Sequence, residues 1–189
     1  MKISKKHISG IIEWSIAIVL LLICYKYSFL SYGSFSPLKA HELSERTYHY
    51  GPSKIIKTID IDKGKVYLCR YKDWFSADTV NKEIIKWYPG DGVSGTPIDS
   101  SKQVSYSWSG SGTKNNEMFM KVYGYVSDSK ITTIQIEGDD KISVPKYQLD
   151  ESRMFIFYWN EDNKQNKTKY LVGLDKDGKV IYKEELMGL

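Results

Sequence analysis

Few residues in this chain have the type and spacing that chemistry requires. The clearest candidate is "GLDKDGKVIYKE", Gly173 to Glu184. Counted as a calcium loop, it places Asp175, Asp177, Gly178 and Glu184 at positions 3, 5, 6 and 12. Position 1 is Gly173 and both flanks read as strands, whereas an EF-hand needs an acidic first ligand and two helices. The expectation is therefore a hairpin turn, with aspartates accepting backbone hydrogen bonds and Gly178 supplying a positive φ. Two acidic pairs, Asp139-Asp140 and Glu161-Asp162, offer general acid–base chemistry if they face a cleft. Both stand at the ends of expected strands, where acids are ordinarily solvated.

Histidine and cysteine narrow the field further. His41 and His49 lie eight apart, with Glu42 and Glu45 between them. This matches no i,i+4 helical pair and no cysteine supports it, so no metal is expected. There is no histidine after His49. A Ser-His-Asp or Cys-His arrangement in the body of the protein therefore requires His41 or His49 to reach in. Cys69, in "KVYLCRYK", reads as a small buried hydrophobe in a strand. A reactive thiol needs an electropositive site, which Arg70 alone does not make. Cys24 lies in an apolar run away from Cys69, so no disulfide framework is expected. "SWSGSGTKNN" (107–116) opens no helix and reads as a loop rather than a phosphate cradle. These observations predict no catalytic residues, no metal and no cofactor. What remains is an aromatic platform for stacking on cell-wall sugars, built from Trp74, Trp87, Trp108 and Trp159, with Tyr88 and Tyr158 beside them. The competing reading is that these rings pack the core.

The elements that must carry these residues are mostly strands. Tyrosine is abundant, at 15 residues, and suits half-buried sheets. "KIIKTIDI" and "KVYLCRYK" flank a turn at Asp62-Lys63-Gly64, a hairpin signal. "MFMKVYGYV" and "KITTIQIEG" flank "SDS", read as a second hairpin, and "TKYLVGLD" and "KVIYKEEL" flank "KDG", a third. "KQVSYSWS" alternates Val104, Tyr106 and Trp108 on one face, and "MFIFYW" (154–159) reads as a strand buried on both faces. "SADTVNKEIIKWYPG" (76–90) has a helix-like frame but indifferent helix formers, and reads as two strands broken near Lys82-Glu83. The fold class expected is mainly β, a small antiparallel sandwich or barrel-like domain over 53–189.

Before it stands "EWSIAIVLLLICYK", the one strongly apolar run. A span needs about 20 apolar residues. The run becomes adequate when extended back to Ile8 or forward to Tyr32. Lys2, Lys5 and Lys6 precede it, while no small-x-small cleavage site follows closely. The expected organisation is a cytoplasmic tail (1–7), a transmembrane helix (8–32) with N-terminus inside, and a juxtamembrane tether (33–52). Within the tether, "PLKAHELSER" forms a short helix with Pro37 in its first turn. Five of the 27 Lys+Arg but only one of the 23 Asp+Glu precede His41, so the body is neutral. That speaks against a nucleic-acid partner.

"GKVYLCRYKDW", "MKVYGYVSDSKITTIQIE" and "LDKDGKVIY" together resemble small single-pass membrane-anchored proteins of Bacillus-like bacteria, with a β-rich extracytoplasmic domain. The resemblance implies that fold and topology, no assigned activity and no site residues. The functional expectation is a non-enzymatic binding module at the cell envelope, taking an envelope protein or wall polymer. The alternatives are an envelope hydrolase using the acidic pairs, or an accessory or immunity-type partner of another membrane protein.

Overall fold

A computed structural model describes residues 5–27, 32–90, 93–112, 117–138, 146–162 and 168–186. Among the described residues, two helices precede twelve strands. Helix α1 runs Lys5–Tyr27 and α2 runs Pro37–Thr47. All sheet pairings are antiparallel, and the chain is mainly β.

The strands form three sheets. The first has the order β1-β2-β3-β4 (Lys54–Ile61, Gly64–Tyr71, Trp74–Glu83, Lys86–Pro89), with β5 (Thr96–Pro97) on β3. The second has β10 (Met154–Asp162), β7 (Glu117–Val126) and β6 (Val104–Gly112), in that order. The third orders β12 (Val180–Glu185), β11 (Lys169–Leu174), β8 (Thr133–Gly138) and β9 (Tyr147–Gln148).

Strand alternation explains how these layers stack. Successive residues point to opposite faces. In β2 and β3, Val66, Leu68, Phe75 and Ala77 meet Tyr123, Met154 and Ile156 of the second sheet. The other face of the second sheet presents Met120, Val122, Phe155 and Phe157 to Ile134, Ile136 and Leu171 of the third. The remaining face of the first sheet carries Tyr67, Cys69 and Val80, and α2 covers it through Ala40. The layers run helix, sheet, sheet, sheet. The middle sheet is covered on both faces, which accounts for the unbroken apolar run of β10, where Met154–Phe157 and Trp159 are buried and Tyr158 is not.

Several expectations hold. The first and third hairpins are β1–β2 and β11–β12. In the third, Asp175 Oδ1 accepts from the backbone of Asp177 and Lys179, and Gly178 has φ +79°. Pro37 opens α2 behind the N-cap Ser36. Residues 76–90 are strands, but the break falls one step later, at Ile84-Ile85.

Three expectations are corrected. "SDS" is no hairpin turn: β7 pairs β6 and β10, while β8 pairs β11 and β9. Arg153 holds the carbonyls of Val126 and Asp128, and Thr132 donates to Leu174, so the segment is a corner passing from the second sheet to the third. The Gly/Ser run begins as strand, not loop. Ser107–Gly112 pair with β7, because small residues there still complete the backbone ladder. Finally, among the described residues no helix is long and apolar enough to cross a membrane, so the transmembrane helix expected over 8–32 is not met in that form. The helix occupies Lys5–Tyr27, and its described side chains, Gly10 to Lys26, include Glu13 and Lys26 at the ends of the apolar run.

Candidate functional site: a buried His–Asp–Cys cluster under α2

Helix α2 docks by a polar face. Ala40, His41, Ser44 and Glu45 are its buried residues, and their i, i+3, i+4 spacing puts them on one side. Opposite them, β3 presents Ser76, Asp78 and Val80, and β2 presents Tyr67 and Cys69.

His41 is the centre. Its Nδ1 lies 2.7 Å from Asp78 Oδ2, and its Nε2 lies 3.4 Å from Glu45 Oε1 and 3.6 Å from Cys69 Sγ. Its ring stacks at 4.9 Å on Tyr67. Ser44 Oγ donates to Asp78 Oδ1 at 3.0 Å, so both carboxylate oxygens have partners. Burial alone would lower the His41 pKa. The hydrogen bond to Asp78 and the contact with Cys69 outweigh it, and the imidazole is pushed up to about 10. Burial pushes the Asp78 carboxyl up from its usual range, opposed by His41, Ser44 and Lys121. With its pKa so raised, His41 keeps its proton at neutral pH, and Nδ1–H donates to Asp78 Oδ2.

Two further contacts fix the site from behind and from the side. Lys121 of β7 reaches the same strand through the opposite face of the first sheet. It donates to Ala77 O at 2.8 Å and to Thr79 Oγ1 at 2.5 Å. Glu45 Oε1 accepts from the Ser53 backbone at 3.0 Å, tying the exit of α2 to the start of β1. Gly51, at φ +109°, passes so near that a Cβ would lie 2.6 Å from the Glu45 carboxylate. Beside it, burial pushes the Tyr50 phenol up to about 12, opposed by the Ser76 hydroxyl.

Chemically this is a thiol, an imidazole and a carboxylate in the order that nucleophilic catalysis uses. It differs from an active site in access. Cys69 and Asp78 are 0% exposed and His41 is 2% exposed, so the ring that would act as base is the plug that closes the site.

The sequence-expected residues are placed elsewhere. Trp74 and Trp87 lie in the first sheet on the α2 side, Trp74 exposed and Trp87 half-buried. Trp108 and Trp159 lie in the edge strands β6 and β10 of the second sheet. Trp159 is buried, with the Lys169 ammonium 5.8 Å from its ring. Trp74 and Trp87 thus belong to one sheet, and Trp108 and Trp159 to another. Asp139-Asp140 lie outside the described residues, as do the side chains of Glu161 and Asp162. Among the described residues no three His, Cys, Asp or Glu side chains are arranged to hold a metal.

Sequence reading missed His41, Asp78 and their link to Cys69. The positive group beside the thiol, sought at Arg70, comes from α2. Two signals pointed there: Asp78 interrupts an otherwise strand-like "WFSADTV", and His41, Ser44 and Glu45 share one face of a short helix. Comparison with protein-family models, with curated proteins and with solved structures finds no match.

Proposed function

We propose that this chain is a membrane-anchored, non-enzymatic interaction module of the cell envelope. Helix α1 is the anchor and the β layers are the outer body that meets an envelope protein or wall polymer. One observation carries the reading. From Ile11 to Tyr25 the large apolar side chains of α1, on every side of the helix, are exposed. A helix apolar all round is covered by something other than water. At 23 residues α1 is about 35 Å from end to end; its uncharged run, Trp14 to Tyr25, is about 18 Å of that, so the flanking turns enter the roughly 30 Å of bilayer hydrocarbon with it. Lys26 closes the apolar run and has the reach to snorkel to headgroups. Lys2, Lys5 and Lys6 favour the N-terminus inside. The resemblance to small single-pass envelope proteins supports the same topology. In this reading the buried His41–Asp78 pair is a clamp that holds α2, and through it the anchor, to the body.

Membrane fractionation of the full chain tests the anchor. The expected result is pelleting with membranes, release by detergent and retention through an alkaline carbonate wash. A full chain that stays in the supernatant sinks the reading. Pull-down on purified cell wall, with and without Trp74→Ala and Trp108→Ala, tests the wall-polymer arm.

A second reading, a cysteine-dependent hydrolase, is favoured by the Cys69–His41–Asp78 distances and opposed by their burial. It predicts that Cys69→Ala abolishes the protein's envelope phenotype at normal abundance. The interaction-module reading predicts that the phenotype survives.

A further inference from the structure

The β3–β4 hairpin ends in two isoleucines. Ile84 is 95% exposed and Ile85 is 67% exposed, and they are the two residues between Glu83 and Lys86. Ile84 has φ +52°. Two-residue hairpin loops draw on Asn, Asp and Gly, because positive φ is costly for a side chain branched at Cβ. Folding therefore favours other residues at this tip, and water does as well. Neither turn geometry nor the core accounts for these isoleucines.

The tip also adjoins the segment that follows α1 in the chain. Ser34 follows Tyr27 by seven residues, a reach of at most about 25 Å. Ser34 and Trp87 exchange two backbone hydrogen bonds, of 2.8 and 2.6 Å. Gly33, at φ +94°, passes so close to β4 that a Cβ would lie 2.6 Å from the Tyr88 ring. Phe35, 72% exposed, is thereby set beside Lys86, whose ammonium lies 5.4 Å from its ring. Lys82 stands over Trp87, and its backbone N–H donates to Lys63 O, bringing a third lysine to the tip. Glu83 and Asp62 are the acids nearby in the chain. Exposed isoleucines and a phenylalanine among lysines, beside the segment that follows the apolar helix in the chain, match the chemistry of an anionic lipid surface.

We propose that the β3–β4 tip, with Ile84, Ile85 and Phe35, inserts into the headgroup–acyl boundary of an anionic phospholipid bilayer and is a second membrane contact beside α1. The inference rests on α1 being a membrane anchor. It adds that the body lies against the bilayer, with β3 and β4 tip-down, rather than swinging free on a linker. The lipid contact and the His41–Asp78 clamp then share the first sheet, and Phe35 lies just before α2.

The test uses the full chain with Cys24→Ser and Ile84→Cys, carrying an environment-sensitive fluorophore on the new thiol. Cys69 is buried and stays unlabelled. Phe35→Cys is a second probe site, should the hairpin not tolerate the label, and Val180→Cys, on exposed β12 of the third sheet, is the control. Each is mixed with vesicles of phosphatidylglycerol and phosphatidylcholine and floated on a density gradient. The expected result is flotation, a blue-shifted tip probe quenched by lipid-borne nitroxide and protected from iodide, and a Val180 probe still open to iodide. Chains that float with the tip probe fully open to iodide overturn this proposal and leave the anchor intact. Chains that do not float overturn both. Equal protection on phosphatidylcholine alone overturns the part assigned to Lys82 and Lys86.

Discussion

The two helices of this protein reverse the usual relation between composition and burial. Helix α1 is apolar and its described side chains from Ile11 to Lys26 are exposed. Helix α2 is polar, and it buries a histidine, a serine and a glutamate. What decides burial is the partner rather than hydropathy. Asp78 waits in the first sheet for His41 and Ser44, whereas the described side chains of α1 from Ile11 to Lys26 stay exposed. A polar helix docked this way is also held differently from one held by an apolar stripe. An apolar stripe tolerates sliding and substitution of similar volume. A buried ion pair has one register and fails when half of it is removed.

The largest effect expected from breaking this contrast is at Asp78. Asp78→Ala leaves the buried His41 ring without its carboxyl partner, and Ser44 without its acceptor. Removing one partner of a buried pair costs roughly 3–5 kcal/mol. The urea midpoint falls accordingly, and Cys69 becomes open to alkylating reagents because α2 has come off the sheet. Asp78→Leu combined with His41→Leu recovers most of the loss if the pair serves only to dock α2. A double variant no better than the single one would show that the polar network does more than fill space.

Next in size is the response to pH. The His41 pKa is raised from 6.5 to about 10 in the folded state. A group raised in this way binds its proton more tightly when folded. Its contribution is fully present below pH 6.5 and is lost as pH rises towards 10. Asp78, also raised, works in the same direction. Between those limits of the histidine, stability declines by up to about 1.4 kcal/mol per pH unit. Urea midpoints measured from pH 6.5 to 10 therefore fall steadily in the native chain, and His41→Gln flattens the slope. A native profile already flat over that range would mean that His41 is neutral in the fold.

Gly51→Ala comes third. At φ +109°, with the Glu45 carboxylate 2.6 Å from where the Cβ must go, the new methyl displaces the group that ties α2 to β1. A side chain in a backbone region of this kind costs on the order of 1–3 kcal/mol. The loss reads out in the urea midpoint, and it is smaller when Glu45→Ala is already present, because the displaced group is then gone.

The parts of the structure legible in the sequence are those governed by a period and a turn. Alternation gave the strands, "DKG" and "KDG" gave two hairpins, and Pro37 gave the start of α2. "SDS" misled because it has turn chemistry but no partner information. Here the segment is held instead by Arg153, 25 residues on from Asp128, which donates to the carbonyls of Val126 and Asp128. The candidate site was hidden for a related reason. Its members lie 28 and 37 residues from His41 and each looks ordinary alone: a cysteine in a strand, an aspartate in a strand, a histidine in an apparent tether. A polar buried face has no hydropathy signature, so only the spacing of His41, Ser44 and Glu45 on α2, taken with an aspartate at an inward strand position, announces it.

The smallest expected effect sharpens the comparison from the side of α1. Leu21, 71% exposed, is on a helix whose described side chains from Ile11 to Lys26 are exposed. Leu21→Ser therefore changes the urea midpoint of the β layers by no more than about 0.5 kcal/mol, as for surface substitutions generally. The same change at a buried position such as Leu171 costs several kcal/mol, because it opens a cavity and strands a hydroxyl. If α1 lies in a bilayer, Leu21→Ser leaves folding untouched and weakens membrane retention, and replacing several of the leucines abolishes it. A midpoint that drops with Leu21→Ser would mean that α1 packs on the body in solution, and α1 would then be a second docked helix rather than the opposite of α2.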